Sequence, residues 1–302
     1  MRYFNNINEF DKNKGSVVTV GKFEGLHNGH RTLFNAVINE AKENNLTSFV
    51  YTFDDEIFNG AKILFTDAEK KMIYESIGID NVYIRSFDDD FKHKEPTEFV
   101  KELVENFNMK AFVCGSDFKF GKERLGDTKL LSNLSSEYGF KLIVLNKETE
   151  DNEIISSTKI KSLLEKGELL KANKLLGFPF FYMGKVVNGV KLARNLGFPT
   201  ANVALQKEKL AVPFGVYCSK IEFENNCFYG MTNIGIKPTV TDSDKVLIET
   251  YIDRFNGNLY GKTIKISLLD FIRPEKKFDS VEELKTQIEA DLLQIYYRSL
   301  TE

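Results

Sequence analysis

The sequence predicts an α/β fold followed by a β fold: a doubly wound parallel sheet in the first half and an antiparallel β-barrel with a closing helix in the second. Three observations support this prediction. In the first half, strand-like runs alternate with segments of helical spacing, which is typical of βαβ units. After about residue 180, short strand-like runs bounded by glycine turns favour an antiparallel barrel. Because the 302 residues exceed the length over which one hydrophobic core grows readily, we expect two domains.

The first half carries five predicted strands with helical patterns among them. The strands are at 17–20, 47–53, 81–87, 110–114 and 141–145, and the helices include 67–77, 97–107 and 129–138. A helix is also indicated after the first strand, because apolar residues recur there at helical spacing from Leu33 to Ala41. In such a sheet, ligands are expected beyond the carboxyl ends of the strands.

The second half carries five predicted strands and a closing helix. The strands are at 184–187, 215–223, 227–235, 245–254 and 262–269, and the amphipathic helix is at 281–297. Between the halves, one helix is predicted over 159–175, and Gly177 and Pro179 end it. We therefore expect domains at 1–178 and 179–302.

Composition limits the function classes. A net charge of −3 and a pI of about 5.9 argue against a general nucleic-acid-binding protein, which would show a dominant basic surface. No apolar run approaches the ~20 residues that span a bilayer, and the N-terminus lacks a signal core, so a membrane partner is not expected. Three widely spaced cysteines without a C-x-x-C pair indicate reduced thiols and a cytoplasmic protein.

The segment from Val17 to His30 places glycines and two histidines directly after a β-branched run. Glycines let the backbone approach a polyphosphate, and the amides at the start of the following helix favour negative charge. His27 and His30 would share one face, donate to phosphate oxygens and stabilise the charge that develops in phosphoryl or nucleotidyl transfer. Taken alone, H-x-G-H fits a glycine turn with solvated histidines equally well.

Two further segments of the first half offer binding groups. The loop at 115–122 follows a predicted strand and could stack a flat heterocycle on its aromatic rings; the alternative is a surface turn with one phenylalanine tucked inward. The segment at 155–161 offers hydroxyls for a helix N-cap and then a lysine in the first turn, which suits a phosphate. In isolation, a simple capping sequence is the better interpretation.

These motifs resemble those of the nucleotidyltransferase superfamily, in particular the bacterial FAD synthetases. The run from Gly21 to Gly25 is similar to their G-x-F-D-G opening, with Glu24 in place of Asp. The resemblance implies that His27 and His30 stabilise the transition state. The residues that it assigns to ATP are Gly21, Phe23, Gly25, Ser157, Thr158 and Lys159. The residues that it assigns to the flavin are Asp117, Phe118 and Phe120.

Two positions depart from that family. Lys159 replaces the usual Arg, which keeps the charge but loses the bidentate fork. After Asp54, the residues Asp55, Glu56 and Ile57 replace the family's Pro-His-Pro. Two carboxylates beside a polyphosphate site are electrostatically adverse unless a metal ion or a lysine offsets them. A weak or inactive adenylyltransferase domain is therefore one alternative.

In the second half, a Gly/Pro turn ends in Thr200 and Asn202, two residues apart. On an extended strand their side chains share a face, so that a hydroxyl and an amide oxygen can hold a hard cation such as Mg²⁺ against ATP phosphates. By chemistry alone, turn or cap residues are the commoner explanation. Further on, Glu249 is a carboxylate in a strand-like run and could accept the proton of an attacking hydroxyl. An edge-strand glutamate in solvent is the alternative.

The run L-G-F-P-T-A-N at 196–202 resembles the signature of riboflavin kinases. The resemblance implies that Thr200 and Asn202 bind magnesium-ATP and that Glu249 is the catalytic base. Lys191 and Arg194 match the basic stretch that precedes the signature and are assigned to ATP, although Ala193 stands where glycine is common. Gly215, Asn233 and Arg273 match segments that line the flavin and nucleotide sites.

Family-like motifs run in order from Gly21 to Phe278, so the chain resembles the bifunctional riboflavin kinase/FAD synthetase family over almost its full length. The resemblance implies phosphorylation of riboflavin to FMN in the second half and adenylylation of FMN to FAD in the first. Riboflavin, FMN, ATP and Mg²⁺ are the implied ligands. The alternatives are a kinase with a weak adenylyltransferase domain and a flavin-binding regulatory protein.

Overall fold

The computed structural model describes residues 1–54, 60–146, 149–150, 153–187, 198–236 and 246–299. It divides the chain into two units, Met1–Ser157 and Thr158–Glu302. The parallel sheet lies in the first unit and the antiparallel barrel in the second, which confirms the predicted fold class.

The first unit is built on a six-stranded parallel sheet. Its strands are β1 (Arg2–Phe4), β2 (Ser16–Val20), β3 (Thr47–Phe53), β4 (Asn81–Arg85), β5 (Met109–Gly115) and β6 (Lys141–Leu145). Its helices are α1 (Asn28–Glu43), α2 (Asp67–Ile77), α3 (Asp89–Lys92), α4 (Pro96–Phe107) and α5 (Thr128–Tyr138). Two short strands, β7 (Thr149–Glu150) and β8 (Glu153–Ile154), pair as a hairpin. The three-residue strand β1 was not predicted.

The order of the strands places a ligand crevice at β2. The sheet runs β1-β4-β3-β2-β5-β6, so the order reverses between β2 and β5, and the crevice of such a sheet opens at the carboxyl ends beside that reversal. One face of the sheet packs against α1 through Val17, Val37 and Val113. The opposite face carries an aromatic-rich core that includes Val20, Cys114 and Phe118.

The second unit begins with two helices, α6 (Ser157–Glu165, which starts on the last residue of the first unit) and α7 (Leu169–Leu176). The prediction of one helix over 159–175 is wrong, because Gly167 has a φ of +76° that a right-handed helix cannot contain. The chain then forms β9 (Phe181–Lys185), β10 (Thr200–Ala204), β11 (Gly215–Phe223), β12 (Asn226–Ile236), β13 (Val246–Ile252) and β14 (Thr263–Pro274). It closes with α8 (Val281–Ser299).

The antiparallel sheet of the second unit is almost closed into a barrel. Its order is β10-β13-β12-β11-β14-β9, and a bridge between Val187 and Asn202 links its two edges. The edges meet closely, since a Cβ on Gly184 would lie 2.5 Å from Cγ1 of Val203. Inside, a hydrogen-bonded row of hydroxyls joins three neighbouring strands: Ser219, Thr232 and Thr250. These buried polar groups are therefore satisfied.

Candidate functional sites

A cavity of about 450 Å³ opens at the carboxyl ends of β2, β5 and β6 in the first unit. Its wall includes most of the glycine loop, the start of α1, the loop after β5 and the segment before α6. The predicted residues that line it are Gly21, Phe23, His27, His30, Asp117, Phe118 and Ser157. The fold thus brings together side chains that lie more than a hundred positions apart in sequence.

The two histidines form a stacked pair at the start of α1. Their ring centroids are 3.7 Å apart with 16° between the ring planes, and His27 is the N-cap residue. The side chain of His27 makes no capping hydrogen bond, and the buried Nδ1 atoms of both rings have no hydrogen-bond partner within the described chain. Polar atoms left this way at a helix N-terminus are well placed for an anionic ligand.

Burial keeps both imidazoles neutral. Removal from water lowers the pKa of His27 to about 4. The pKa of His30 lies well below its usual range, first because of burial and then because a proton on His30 would be repelled by a proton on His27. At neutral pH each ring therefore carries one N–H that can donate and one nitrogen that can accept.

Phe23 shapes the glycine loop around the histidines. It has a φ of +41°, and its ring packs edge-on against His30 at 5.2 Å and against Phe34 at 4.9 Å. Gly21 is required beneath it, because a Cβ there would lie 2.8 Å from the Phe23 ring. The predicted loop residues thus hold the position of His30.

The start of α6 reaches the glycine loop through Ser157. A Cβ on Gly25 would lie 3.0 Å from Oγ of Ser157 and 3.3 Å from Cδ2 of His27. Thr158 and Lys159 follow in the first turn of the same helix. Ser157 therefore lies beside the glycine loop in the wall of the cavity.

The loop after β5 contributes Asp117 and Phe118 to the wall, but Phe120 lies behind them. Phe120 is buried in the aromatic core and stacks on Phe118, with centroids 5.4 Å apart. Cys114 also lines the cavity, and burial raises the pKa of its thiol to about 12, with the charge of Asp117 adding to the shift. The thiol is therefore protonated and unreactive at neutral pH.

Some predicted positions lie outside the described residues. They are Asp55, Glu56, Ile57, Lys191 and Arg194.

In the second unit, four of the predicted residues stand in one row across the barrel. Asn202 on β10 is the register partner of Glu249 on β13, and Glu249 is the partner of Asn233 on β12. The row continues through Val216 on β11 to Arg273 on β14. Directly opposed residues of antiparallel strands share a face with Cβ atoms about 4.5–5.5 Å apart. The residues assigned to metal, base and flavin are thus neighbours.

The side-chain amide oxygen of Asn202 has no hydrogen-bond partner within the described chain. The residue is 3% exposed, and its Oδ1 atom accepts no hydrogen bond within the described chain, whereas its Nδ2 donates to the carbonyl of Thr200 at 3.3 Å. Thr200 lies two residues earlier on the same face of β10, opposite Tyr251. A buried amide oxygen beside a threonine hydroxyl is a donor set that fits a hard cation such as Mg²⁺.

Glu249 lies on the half-exposed face of β13. Its neighbours Ile248 and Thr250 point to the buried face, so the strand alternates as the sequence predicted. Beside it, Asn233 donates from Nδ2 to Oε1 of Glu275 at 3.2 Å. The carboxylate of Glu249 is therefore flanked by amide side chains on both neighbouring strands.

Arg273 is bound to the closing helix. Its guanidinium contacts both carboxylate oxygens of Asp291, with a shortest distance of 2.8 Å, and Asp291 is 0% exposed. Gly215 lies against the backbone of β14, since a Cβ there would lie 2.4 Å from the carbonyl oxygen of Arg273. Asp291 and Glu275 were not singled out as site residues. The sequence did contain a signal for Asp291, because this carboxylate lies within the apolar stripe of α8, between Ile288 and Ile295.

Comparison with known proteins identifies both halves. The sequence model described as FAD synthetase matches residues 9–159, and the one described as riboflavin kinase matches residues 176–297. A bifunctional riboflavin kinase/FMN adenylyltransferase of Buchnera aphidicola (from Schizaphis graminum) is 36% identical, with 97% of each chain covered. The protein of the same name from Escherichia coli K12 is 36% identical over 93% of this chain and 91% of that one.

A solved structure also covers both units. The crystal structure described as a macrolide-efflux protein from Streptococcus pneumoniae superposes with a TM-score of 0.84 at 29% identity, and 96% of each chain is covered. In the described part of this chain, no helix is both long and apolar enough to cross a membrane.

Proposed function

Because this chain belongs to the bifunctional riboflavin kinase/FMN adenylyltransferase family, we propose that it makes FAD from riboflavin in two steps. It is a transferase. The barrel unit phosphorylates riboflavin to FMN with ATP, and the parallel-sheet unit adenylylates FMN to FAD with a second ATP. The observation that carries this proposal is the register row from Asn202 through Glu249 to Asn233, together with the histidine-lined cavity of the first unit.

We assign the adenylyltransferase to residues 1–178 and the kinase to residues 179–302. The matched regions, 9–159 and 176–297, support this assignment. We also propose that the protein is cytoplasmic, because its three cysteines are widely spaced and include no C-x-x-C pair.

In the kinase, Glu249 orients the 5′-hydroxyl of riboflavin and accepts its proton. The hydroxyl oxygen bonds to the γ-phosphorus of ATP, the bond from that phosphorus to the β,γ-bridging oxygen breaks, and ADP leaves. A carboxylate is the usual base for such a hydroxyl, because phosphoryl transfer needs positioning more than covalent chemistry. The position of Glu249 between Asn202 and Asn233 supports this role. We assign Gly215, Asn233 and Arg273 to the flavin side of the site.

Thr200 and Asn202 fit a Mg²⁺ ion that accompanies ATP. Bound there, the ion would neutralise phosphate charge. The unpartnered Oδ1 of Asn202 and the neighbouring hydroxyl of Thr200 are the groups that would hold it. We assign Lys191 and Arg194 to the same ATP on sequence alone.

In the adenylyltransferase, a phosphate oxygen of FMN attacks the α-phosphorus of ATP, and pyrophosphate leaves. His27 and His30 donate hydrogen bonds to the oxygens that gain charge, and the first amides of α1 add the positive end of the helix dipole. Neutral, closely stacked rings support this role because both can sit against one polyanion without mutual repulsion. Phe118 and Asp117 face the flavin, and Gly21, Phe23, Gly25, Ser157, Thr158 and Lys159 bind ATP.

The test is a time course of the purified full chain with riboflavin, ATP and Mg²⁺, in which riboflavin, FMN and FAD are separated chromatographically. We expect FMN first and FAD after it. FMN without FAD would overturn the adenylyltransferase assignment and leave a riboflavin kinase, with Asp55 and Glu56 as the first residues to replace. Flavin binding without any product would overturn both assignments in favour of a flavin-binding regulatory protein.

A further inference from the structure

A buried hydroxyl without a partner lines the cavity of the first unit. Thr19 is 1% exposed, and its Oγ1 atom makes no hydrogen bond within the described chain. Valine would fill the same space without leaving a polar atom unpaired, so a threonine here costs stability unless its hydroxyl gains a partner. A buried unpaired group requires an explanation, and its position in a cavity wall favours a bound ligand as that explanation.

The position of Thr19 on β2 determines on which side of the cavity its hydroxyl lies. Side chains alternate along a strand, so Thr19 shares a face with Val17, and Val17 packs against α1. Val18 and Val20 point to the opposite face, where Cys114 and Phe118 lie. The cavity wall thus has an α1 side and an aromatic side.

The two sides offer different chemistry. The α1 side carries the start of the helix and the histidine pair, with Ser157 next to the glycine loop. These groups suit a polyphosphate and its nucleoside. The aromatic side presents the Phe118 ring and the protonated Cys114 thiol, which suit a flat apolar ring.

We propose that Thr19 is a further binding residue of the adenylyltransferase and that its hydroxyl makes a hydrogen bond to the bound ATP rather than to FMN. This inference rests on the proposed function of the first unit. The unpaired state of Oγ1 and its place on the α1 side of β2 carry it.

Steady-state kinetics of the full chain test the assignment, with FMN as the only flavin so that the kinase is silent. In Thr19→Val, the KM for ATP should rise about fivefold, the loss expected for one neutral hydrogen bond, while the KM for FMN stays within about twofold. Thr19→Ser should restore the KM for ATP. Thr47→Val is the matched control, because the Thr47 hydroxyl bonds to the carbonyl of Gly15 at the opposite end of the sheet.

A thermal melt of the ligand-free protein separates binding from folding. Thr19→Val should melt no lower than the wild type, because the substitution removes an unpaired polar atom. A lower melting temperature with an unchanged KM for ATP would assign Thr19 a structural role and overturn the inference. A raised KM for FMN alone would place the hydroxyl on the flavin and overturn it as well.

Failure of the proposed function would look different. Wild-type protein that forms no FAD from FMN and ATP overturns the adenylyltransferase assignment. Calorimetric titration of the full chain with ATP, fitted to its two ATP sites, then decides the role of Thr19. Equal affinities of both sites in wild type and Thr19→Val overturn that role. FAD formation by the wild type with an equal KM for ATP in Thr19→Val overturns this inference alone.

Discussion

The imidazole rings of His27 and His30 stack with their centroids 3.7 Å apart at the first turn of α1. Their buried Nδ1 atoms have no hydrogen-bond partner within the described chain, and burial holds both rings neutral. Packing within the protein therefore arranges the pair, and this arrangement leads to the first two predictions.

His27→Asn and His30→Asn should each lower FAD formation from FMN and ATP. Loss of one preorganised donor to a developing oxyanion costs about a hundredfold or more in kcat. FMN formation by the other unit of the same chain should stay within about twofold, which serves as an internal control for folding. His93→Asn, at an exposed histidine, is the matched substitution. Equal losses of both activities would contradict a local role of the pair.

The neutral histidines also predict a dependence of stability on pH. The folded pKa of His27 is about 4, below its ordinary 6.5, so the unfolded chain binds more protons between these values. The contribution of His27 to the free energy of unfolding is complete above about pH 6.5 and is lost as the pH drops towards 4. The loss from this residue is about 3 kcal/mol.

Denaturant unfolding at pH 7.5 and pH 5 measures the part of this loss that falls between the two values, about 2 kcal/mol. In His27→Asn, the difference in unfolding free energy between the two pH values should shrink, because the titrating group is absent. An unchanged difference would show that other groups control the acid sensitivity. His93→Asn again supplies the control.

Glu249→Gln should stop FMN formation while sparing the conversion of supplied FMN to FAD. The amide keeps the shape of the side chain but cannot accept the proton of the riboflavin hydroxyl, so kcat should fall at least about a hundredfold. Glu222→Gln, on the neighbouring part of the barrel where Glu222 pairs with Lys265, is the control. Normal kinase turnover in Glu249→Gln would remove Glu249 from the mechanism.

Gly25→Ala should impair adenylyl transfer through crowding. The added methyl group would press on Oγ of Ser157 and on the ring of His27, and displacement of catalytic groups by a fraction of an ångström should cost about tenfold in kcat/KM. Ser157→Ala removes the atom nearest to the new methyl group. Gly25→Ala should therefore cost less activity when it is made in the Ser157→Ala background than when it is made in the wild type. Purely additive losses would argue against the contact.

Asp291→Ala should destabilise the barrel unit by about 3 kcal/mol, because it leaves the partly buried guanidinium of Arg273 without its bidentate partner. Chemical denaturation monitors the loss. Lys276→Ala removes an exposed ion pair with Glu283 near the start of the same helix and should cost less than about 1 kcal/mol. Equal effects of the two variants would show that burial adds nothing at Asp291.

Much of the architecture followed from local pattern. The strand over Thr47–Phe53, the helix over Asp67–Ile77 and the strand over Gly215–Phe223 have the predicted bounds, because β-branched runs and helical spacing were bordered there by clear capping or turn residues. The helix over 159–175 was wrong because a single glycine in the left-handed region divides it. The strand β1 is too short for periodicity to reveal.

The sequence by itself determined the two-part fold, the order of the motifs and the chemistry that each can supply, since these depend on residue type and short-range spacing. Only the tertiary structure decided which groups meet. Strand register aligned Asn202, Glu249 and Asn233, packing placed Phe120 behind Phe118, and the closing helix brought Asp291 to Arg273. Such contacts join residues far apart along the chain, and the burial that lowers the pKa of His27 exists only once the chain has packed around it.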